Sequence, residues 1–169
     1  EIDQDMLEKQ AKIAFLSIGS NLGNKIKNIE LTKYKLEKNN IIIIRASKNY
    51  ETLSWPDKKK PTFINIALKI RTYLSPQDLI KKCLYIEKKL GRVRSRKNEP
   101  RICDIDIIDY DKMIVKRTKR QNLTIPHPEM HKRNFVLLPL YEINKNWKHP
   151  IKKITIKTLI NYKTHIIVI

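Results

Sequence analysis

Two aspartates, Asp104 and Asp106, interrupt the apolar run RICDIDIIDY at positions 101–110. Alternate residues of a β-strand point to the same face, so a strand here would place both carboxylates on one face, roughly 6.6 Å apart. Two like charges at this spacing repel each other, which favours a cation between them. Carboxylate oxygens suit Mg²⁺, which completes its shell with water and phosphate oxygens. The alternative is a solvated edge strand with two surface aspartates, and D-x-D alone does not exclude it.

A cluster of arginines directly precedes this strand. Four of the nine arginines of the chain, Arg92, Arg94, Arg96 and Arg101, fall within ten residues. The planar guanidinium group can bind two phosphate oxygens at once. The segment GRVRSRKNEP, residues 91–100, has no periodicity and ends in proline, which predicts a long loop. Such a loop beside a carboxylate pair is typical of a lid that closes over nucleotide phosphates, although charge runs are usually solvated loops.

The composition narrows the class of protein. A length of 169 residues fits one domain. The formal net charge is +19, but lysine, asparagine and isoleucine are abundant along the whole chain, so we interpret the charge as compositional drift and expect no nucleic-acid partner. No window of 18 uninterrupted apolar residues and no apolar leader is present, which predicts a cytoplasmic protein without a membrane partner. Two cysteines are too few for a disulfide framework and are expected to be buried thiols.

The order of predicted elements indicates an α+β fold. Strands are expected at 12–21, 41–52, 62–73 and 101–110, and helices at 22–39 and 76–90, the second with Ser75 as its N-cap and Gly91 after its end. A packed segment at 135–143 and a strand at 164–169 follow. This order matches the ferredoxin-like β-α-β-β-α-β plan, with an antiparallel sheet, helices on one face and extra C-terminal elements. Residues 1–12 read as an extension or linker, and residues 13–169 as a single domain.

Seven segments resemble the 6-hydroxymethyl-7,8-dihydropterin pyrophosphokinases of folate biosynthesis, in the same order. They are SIGSNLG, YET, FIN, GRVR, PRICDIDII, LTIPHPEM and RNFVLLPL, and they span about residues 13 to 145. The run P-R-x-x-D-x-D-[IL]-[IL] followed by L-T-[IV]-P-H is specific to that family in combination. The resemblance implies a ferredoxin-like fold and transfer of pyrophosphate from ATP to the pterin hydroxymethyl group, with release of AMP.

The resemblance also implies a role for each matching residue. Asp104 and Asp106 would hold two Mg²⁺ ions that bridge the ATP phosphates, and they would share catalysis with Arg92 and Arg94. The residues implied for ATP are Arg92, Arg94, Arg101, Ile107, Thr124, His127 and Arg133. The residues implied for the pterin are Thr52, Leu53, Phe63, Asn65 and Phe135, with Phe135 stacking on the ring and Asn65 binding its amide edge. The expected partners are therefore ATP and 6-hydroxymethyl-7,8-dihydropterin, and the start at Glu1 is compatible with fusion to another folate enzyme.

The sequence departs from the family pattern at the loop. Glu99 stands where a small residue usually precedes Pro-Arg, the loop is one residue short and lacks a tryptophan often found there, and Pro128 follows His127 where an aromatic residue is common. Two alternatives therefore stay open beside the enzyme. One is a catalytically weak or inactive homologue that binds nucleotide. The other is an RNA-binding module of the same fold, which would need a pair of exposed aromatic residues that the predicted central strands do not offer.

Overall fold

The computed structural model describes residues 10–54, 57–92, 99–162 and 166–169. Its strands are β1 (Lys12–Ser20), β2 (Ile42–Ala46), β3 (Tyr50–Thr52), β4 (Phe63–Thr72), β5 (Asp104–Tyr110) and β6 (Ile167–Val168). Its α-helices are α1 (Lys25–Lys38), α2 (Pro76–Lys89), α3 (Asn134–Ile143) and α4 (Ile156–Leu159), and a 3₁₀ helix covers Met130–Lys132. In the part of the chain that the structure describes, no helix is long and apolar enough to cross a membrane.

The strands form one antiparallel sheet in the order β5-β1-β4-β3-β6, with β2 also paired to β4. β2 and β3 share the same edge of β4, so the single strand expected at 41–52 is divided in two. Between them, the backbone N–H of Ser47 still donates to the carbonyl of Ala67 at 2.9 Å. The chain order of these strands and of helices α1 and α2, together with the antiparallel pairing, confirms the ferredoxin-like plan.

Helices α1 and α2 cover one face of the sheet. Each begins at a side-chain cap: Asn24 accepts a hydrogen bond from the N–H of Lys27, and Ser75 accepts one from the N–H of Asp78. Their apolar stripes meet the inward residues of β1 and β4, such as Leu16. The core formed there contains both cysteines, Cys83 and Cys103, as buried free thiols.

Helix α3 covers part of the opposite face, where it forms a second core with α4. This core includes Phe15, Ile108 and Trp147. In the ferredoxin-like part, both helices lie on one face of the sheet. The C-terminal helices α3 and α4 lie on the other face. The β1–β5 register shifts here, because Phe15 pairs with Asp109 while Leu16 pairs with Ile107, so Ile108 is an extra residue. The shift brings Asp109 to the second core, where it accepts a hydrogen bond from Trp147 Nε1 at 2.8 Å.

Candidate functional site

A row of candidate site residues crosses three strands on the face that carries α3. Asn65 of β4 lies opposite Gly19 of β1, and Gly19 lies opposite Asp104 of β5. Two residues away on each strand, Ser17 of β1 lies opposite Asp106, so Asp106 is on the same face. Neighbouring strands are about 4.8 Å apart, so the backbones at Asn65 and Asp104 are separated by roughly 10 Å. Residues from two distant motifs therefore face one surface.

Asp104 is held by two arginines. Arg92 Nη1 lies 2.6 Å from Asp104 Oδ1, and Arg101 Nη1 lies 2.9 Å from Asp104 Oδ2. The Asp104 side chain is 26% exposed, and that of Arg92 is 12% exposed. Because both carboxylate oxygens accept charge-assisted hydrogen bonds, a cation that approaches Asp104 must displace at least part of this positive charge.

Below this pair lies Glu87 of α2, whose side chain is 2% exposed. Its Oε1 atom accepts a hydrogen bond from the backbone N–H of Ile105 at 2.8 Å and lies 2.7 Å from Arg92 Nη1. Ile105 stands between the two aspartates, so Glu87 fixes both the strand backbone at the carboxylate pair and the guanidinium in front of it. Sequence reasoning missed Glu87. The sequence feature that could have indicated it is the position of this charged residue next to Ile86, on the buried stripe of α2.

Asp106 is the more accessible carboxylate, with 39% of its side chain exposed. Partial burial of the carboxylate, and then the negative charge of Asp104, raise the pKa of Asp106 above its ordinary value, while the charge of Arg133 acts in the opposite direction. A carboxylate whose ionised form is disfavoured in this way gains from a nearby divalent cation. The pair therefore fits a cation by its chemistry.

His127 faces Asp106 from the connector that follows β5. Its Nε2 atom lies 3.9 Å from Asp106 Oδ2, and the backbone N–H of Glu129 donates to its Nδ1 atom at 3.2 Å. Burial, followed by the charge of Arg133, lowers the pKa of His127 to about 4. The imidazole is therefore neutral near pH 7, and because Nδ1 accepts a hydrogen bond, the proton lies on Nε2.

The other end of the row is a buried polar wall. Asn65 Nδ2 donates to Thr52 Oγ1 at 2.9 Å, and both side chains are buried. Gly19 leaves room for this wall, because a Cβ at Gly19 would come within 3.0 Å of Asn65 Oδ1 and 3.5 Å of a Phe63 ring carbon. Leu53, which follows Thr52 in the chain, is 56% exposed.

Two phenylalanine rings at this surface are each paired with an arginine. The guanidinium of Arg101 lies 5.5 Å from the ring centroid of Phe63, and that of Arg133 lies 5.8 Å from the ring centroid of Phe135. A flat heterocycle that stacked on either ring would compete with the guanidinium for the ring face. Arg101 thus lies beside both Asp104 and a phenylalanine ring, and Arg133 lies beside the other ring and acts on Asp106 through its charge.

Three predicted nucleotide residues need separate comment. The side chain of Ile107 is 3% exposed and belongs to the core under α1 and α2, so any contact with a ligand at this position must come from its main chain. Thr124 is partly exposed and precedes Ile125, whose backbone pairs with Val115. Arg94 lies outside the described residues.

Asn21 is a second residue that sequence reasoning missed. It is 3% exposed, and its Oδ1 atom accepts a hydrogen bond from the backbone N–H of Arg101 at 2.8 Å. Its Nδ2 atom donates to Ser54 Oγ and to the carbonyl of Pro61, both at 3.4 Å. Asn21 therefore joins the end of β1 to the loop after β3 and to the start of the aspartate strand. The Gly-Ser-Asn turn at its position was the available signal.

The donor set limits the metal that the site can hold. Among the described residues, no group of three or more histidine, cysteine, aspartate or glutamate side chains is arranged to bind a metal ion. A metal at Asp104 and Asp106 would therefore rely on water and substrate oxygens for the rest of its shell. This is the usual pattern for Mg²⁺ at a phosphate site and not for a structural zinc site.

Comparisons with known proteins point to one family. Residues 15–145 match the family model described as 7,8-dihydro-6-hydroxymethylpterin-pyrophosphokinase (HPPK). A 2-amino-4-hydroxy-6-hydroxymethyldihydropteridine pyrophosphokinase of Aquifex aeolicus is 39% identical over 143 residues, which are 85% of this chain and 87% of that protein. The folic acid synthesis protein FOL1 of Dictyostelium discoideum is 43% identical over 143 residues, and the match covers 85% of this chain.

The fold is also found in longer proteins. The HPPK-DHPS protein of Plasmodium falciparum, crystallised with pteroate, matches with a TM-score of 0.72 at 17% identity, over 90% of this chain and 42% of that one. The chain spans about a fifth, 21%, of the length of the Dictyostelium protein. Because the family model covers most of the chain and a relative of similar length is well above 30% identical, this chain belongs to the 7,8-dihydro-6-hydroxymethylpterin-pyrophosphokinase family.

Proposed function

We propose that this domain transfers pyrophosphate from ATP to the hydroxymethyl group of 6-hydroxymethyl-7,8-dihydropterin and releases AMP. The observation that carries the proposal is the row Asn65–Gly19–Asp104, which brings an amide suited to a pterin and a carboxylate suited to a metal-bound phosphate onto one surface. The names of the relatives, pyrophosphokinases and folic acid synthesis proteins, support the same reaction.

The pterin would bind at the wall formed by Thr52 and Asn65. The bond from Asn65 Nδ2 to Thr52 Oγ1 orients the amide, so that its oxygen is presented towards Gly19, where no side chain obstructs it. The rings of Phe63 and Phe135 offer apolar faces for a flat heterocycle, and Leu53 would border that ligand. Stacking combined with an oriented amide is the usual way to bind such a ring specifically.

The triphosphate would bind on the arginine side. Arg92 and Arg101 now neutralise Asp104, and Arg133 acts on Asp106 and His127 through its charge. The Nε atom of Arg101 is buried and has no hydrogen-bond partner within the described ranges, so a movement of this side chain towards a phosphate would give it an acceptor. Arg94 is proposed for the same task from its motif alone. Thr124, His127 and the main chain at Ile107 would contact the nucleoside end.

Asp104 and Asp106 would hold Mg²⁺, and we propose two ions, as in the family pattern. When bound, Mg²⁺ supplies charge neutralisation of the phosphates and fixes their orientation. The protein residues do the remaining work by positioning. The pterin hydroxyl oxygen forms a bond to the β-phosphorus, the bond from that phosphorus to the α-bridging oxygen breaks, and AMP leaves with that oxygen while the hydroxyl proton passes to solvent.

The longer relatives support a further proposal about context. Several of them join this family to more chain within folic acid synthesis proteins. We propose that the domain works in the same pathway, in the cytoplasm, beside or fused to another enzyme of that pathway.

The direct test is AMP formation from ATP and 6-hydroxymethyl-7,8-dihydropterin, with and without Mg²⁺. We expect AMP when all three are present and none when either pterin or metal is omitted. A protein that binds ATP and pterin but forms no AMP would be an inactive homologue. A protein that binds neither would overturn the proposal, and binding to RNA would then be measured.

A further inference from the structure

Asn134, the first residue of α3, has a side chain that is committed to a distant part of the chain. Its Oδ1 atom accepts a hydrogen bond from the backbone N–H of Asn161 at 3.0 Å, and its Nδ2 atom donates to the backbone carbonyl of the same residue. Asn134 is 8% exposed. One side-chain amide therefore binds both polar groups of one backbone residue 27 positions away, and we call this pair of bonds the Asn134–Asn161 clasp.

The clasp acts at a helix start whose N-cap residue provides no capping bond from its side chain. The residue before α3, Arg133, makes no side-chain capping bond. The first helical turn is closed by the N–H groups of Val136 and Leu137, which donate to the Arg133 carbonyl at 2.9 Å each. Without a capping side chain, the N-terminal turn of a helix frays readily. The clasp supplies an anchor at the position where a cap is missing.

The two neighbours of Asn134 in the chain are site residues. Arg133 precedes it and Phe135 follows it, and the Arg133 guanidinium lies 5.8 Å from the Phe135 ring centroid. Arg133 also acts through its charge on Asp106 and His127. A residue that fixes the backbone between these two side chains therefore sets where both of them point.

The other half of the clasp lies outside the region that the family model matches, which ends at residue 145. The segment that carries Asn161 is itself anchored, because Ile156 is fully buried and Ile160 is 6% exposed in the core beneath α3. The C-terminal segment is thus tied to the sheet core on one side and to the start of α3 on the other.

We infer that Asn134 is a positioning residue, which holds Phe135 for the pterin and Arg133 for the phosphates by clasping Asn161. This inference rests on the proposed function. It predicts that the clasp affects affinity for the pterin more than it affects the stability of the fold, because the core around Ile156 and Ile160 stays in place without it.

The test compares Asn134→Ala with Asn39→Ala. Asn39 is a matched control, because its Nδ2 atom donates to the Lys35 carbonyl at 2.7 Å at the far end of α1, about 20 Å along that helix from its start. We expect the Michaelis constant for the pterin to rise roughly tenfold in Asn134→Ala, the size expected when one or two hydrogen bonds are lost, with little change in Asn39→Ala. Hydrogen exchange at the N–H groups of Val136 and Leu137 should accelerate in Asn134→Ala alone.

Asn134→Asp keeps the acceptor for the Asn161 N–H but loses the donor, and its charge favours a helix N-terminus. Because its carboxylate would also face the Asn161 carbonyl in a mostly buried position, its free energy of unfolding is measured beside its pterin affinity. Weaker pterin binding by the folded variant excludes general unfolding as the cause. Equal pterin affinity in wild type, Asn134→Ala and Asn134→Asp would overturn the inference, as would equal losses in Asn134→Ala and Asn39→Ala. Failure of the proposed function is distinct, since wild type itself would then form no AMP.

Discussion

Arg92 Nη1 lies 2.6 Å from Asp104 Oδ1, so a guanidinium occupies the position from which a cation would approach this carboxylate. In this arrangement Asp104 is neutralised by the protein's own arginines. Under the proposed function, binding of ATP with its metal would require an exchange, in which Asp104 passes to the metal and the guanidinium groups of Arg92 and Arg101 pass to the phosphates. Asp104 would keep a cationic partner throughout this exchange, because the metal takes the place of the guanidinium groups.

This arrangement predicts that Asp104→Asn stops the reaction. Removing the negative charge weakens a site that depends on two carboxylates, and we expect kcat for AMP formation to fall by roughly a hundredfold or more, which is the size of loss when one electrostatic group at a transition state is removed. Asp111→Asn, at the exposed end of the same segment, is the control, because Asp111 pairs with Lys12 at the surface. Activity of Asp104→Asn above a tenth of wild type would contradict this role.

Glu87→Ala should mainly reduce stability. It would remove the acceptor of the Ile105 N–H and one of the two anionic partners of Arg92 in a buried position. Leaving such groups without partners costs about 2–4 kcal/mol, and we expect a loss of that order in the free energy of unfolding, measured with urea. Glu30→Ala, which breaks a surface pair with Lys33, should change it by less than about 0.5 kcal/mol. Equal effects of the two substitutions would refute the buried anchor.

The contacts of Glu51 predict that the stability of the fold decreases at acidic pH. Hydrogen bonds from Thr62 Oγ1 at 2.5 Å and from Lys25 Nζ at 3.4 Å lower the pKa of Glu51. A group with a lowered pKa in the folded state stabilises the fold above its unfolded pKa, about 4.3, and this contribution disappears as the pH falls through the folded pKa. Wild type should therefore exceed Glu51→Gln in stability at pH 7, and the two should converge below about pH 4.

The measurement is thermal unfolding of both proteins between pH 3 and pH 7, where the range is chosen to bracket the ordinary pKa of glutamate, about 4.3. Glu37→Gln, an exposed position of α1, serves as the control for loss of one negative charge. A constant gap between wild type and Glu51→Gln across this range would show that Thr62 and Lys25 do not stabilise the ionised form.

Gly19→Ala should weaken binding of the pterin and leave binding of ATP almost unchanged. The added Cβ would lie 3.0 Å from Asn65 Oδ1 and 3.5 Å from Phe63, so the amide that we propose for the pterin edge must shift by a few tenths of an ångström. We expect the Michaelis constant for the pterin to rise about tenfold, by loss of oriented hydrogen bonding. The dissociation constant for ATP is the internal control and should stay within about twofold, since no phosphate residue meets the new methyl group. A change confined to ATP would place the pterin elsewhere.

Local pattern was enough to predict much of this protein. The alternation around Asp104 and Asp106 predicted a strand with both carboxylates on one face, and Ser75 and Gly91 bracketed α2 correctly, because these features depend on residues close in the chain. The buried thiols Cys83 and Cys103 followed from the same apolar periodicity. The motifs predicted the family, and the comparisons confirmed it.

Other features depended on contacts between distant segments. The interruption between β2 and β3 and the extra residue Ile108 are properties of strand pairing. The buried role of Glu87 arises because α2 packs against β5, which nothing in its own helix specifies. The clasp between Asn134 and Asn161 joins two segments whose sequences give no hint of each other.

By itself the sequence determined which residue types face together along each strand and helix, because the periods of 2 and 3.6 are local properties of the backbone. The tertiary structure alone decided that Asn65 and Asp104 share one row through Gly19. That relation depends on the register of β1 with β4 and of β1 with β5, whose paired residues lie 46 and 85 positions from Gly19 in the chain. Register is selected by the packing of the whole sheet against its helices, since a slip of one residue would turn every side chain to the wrong face.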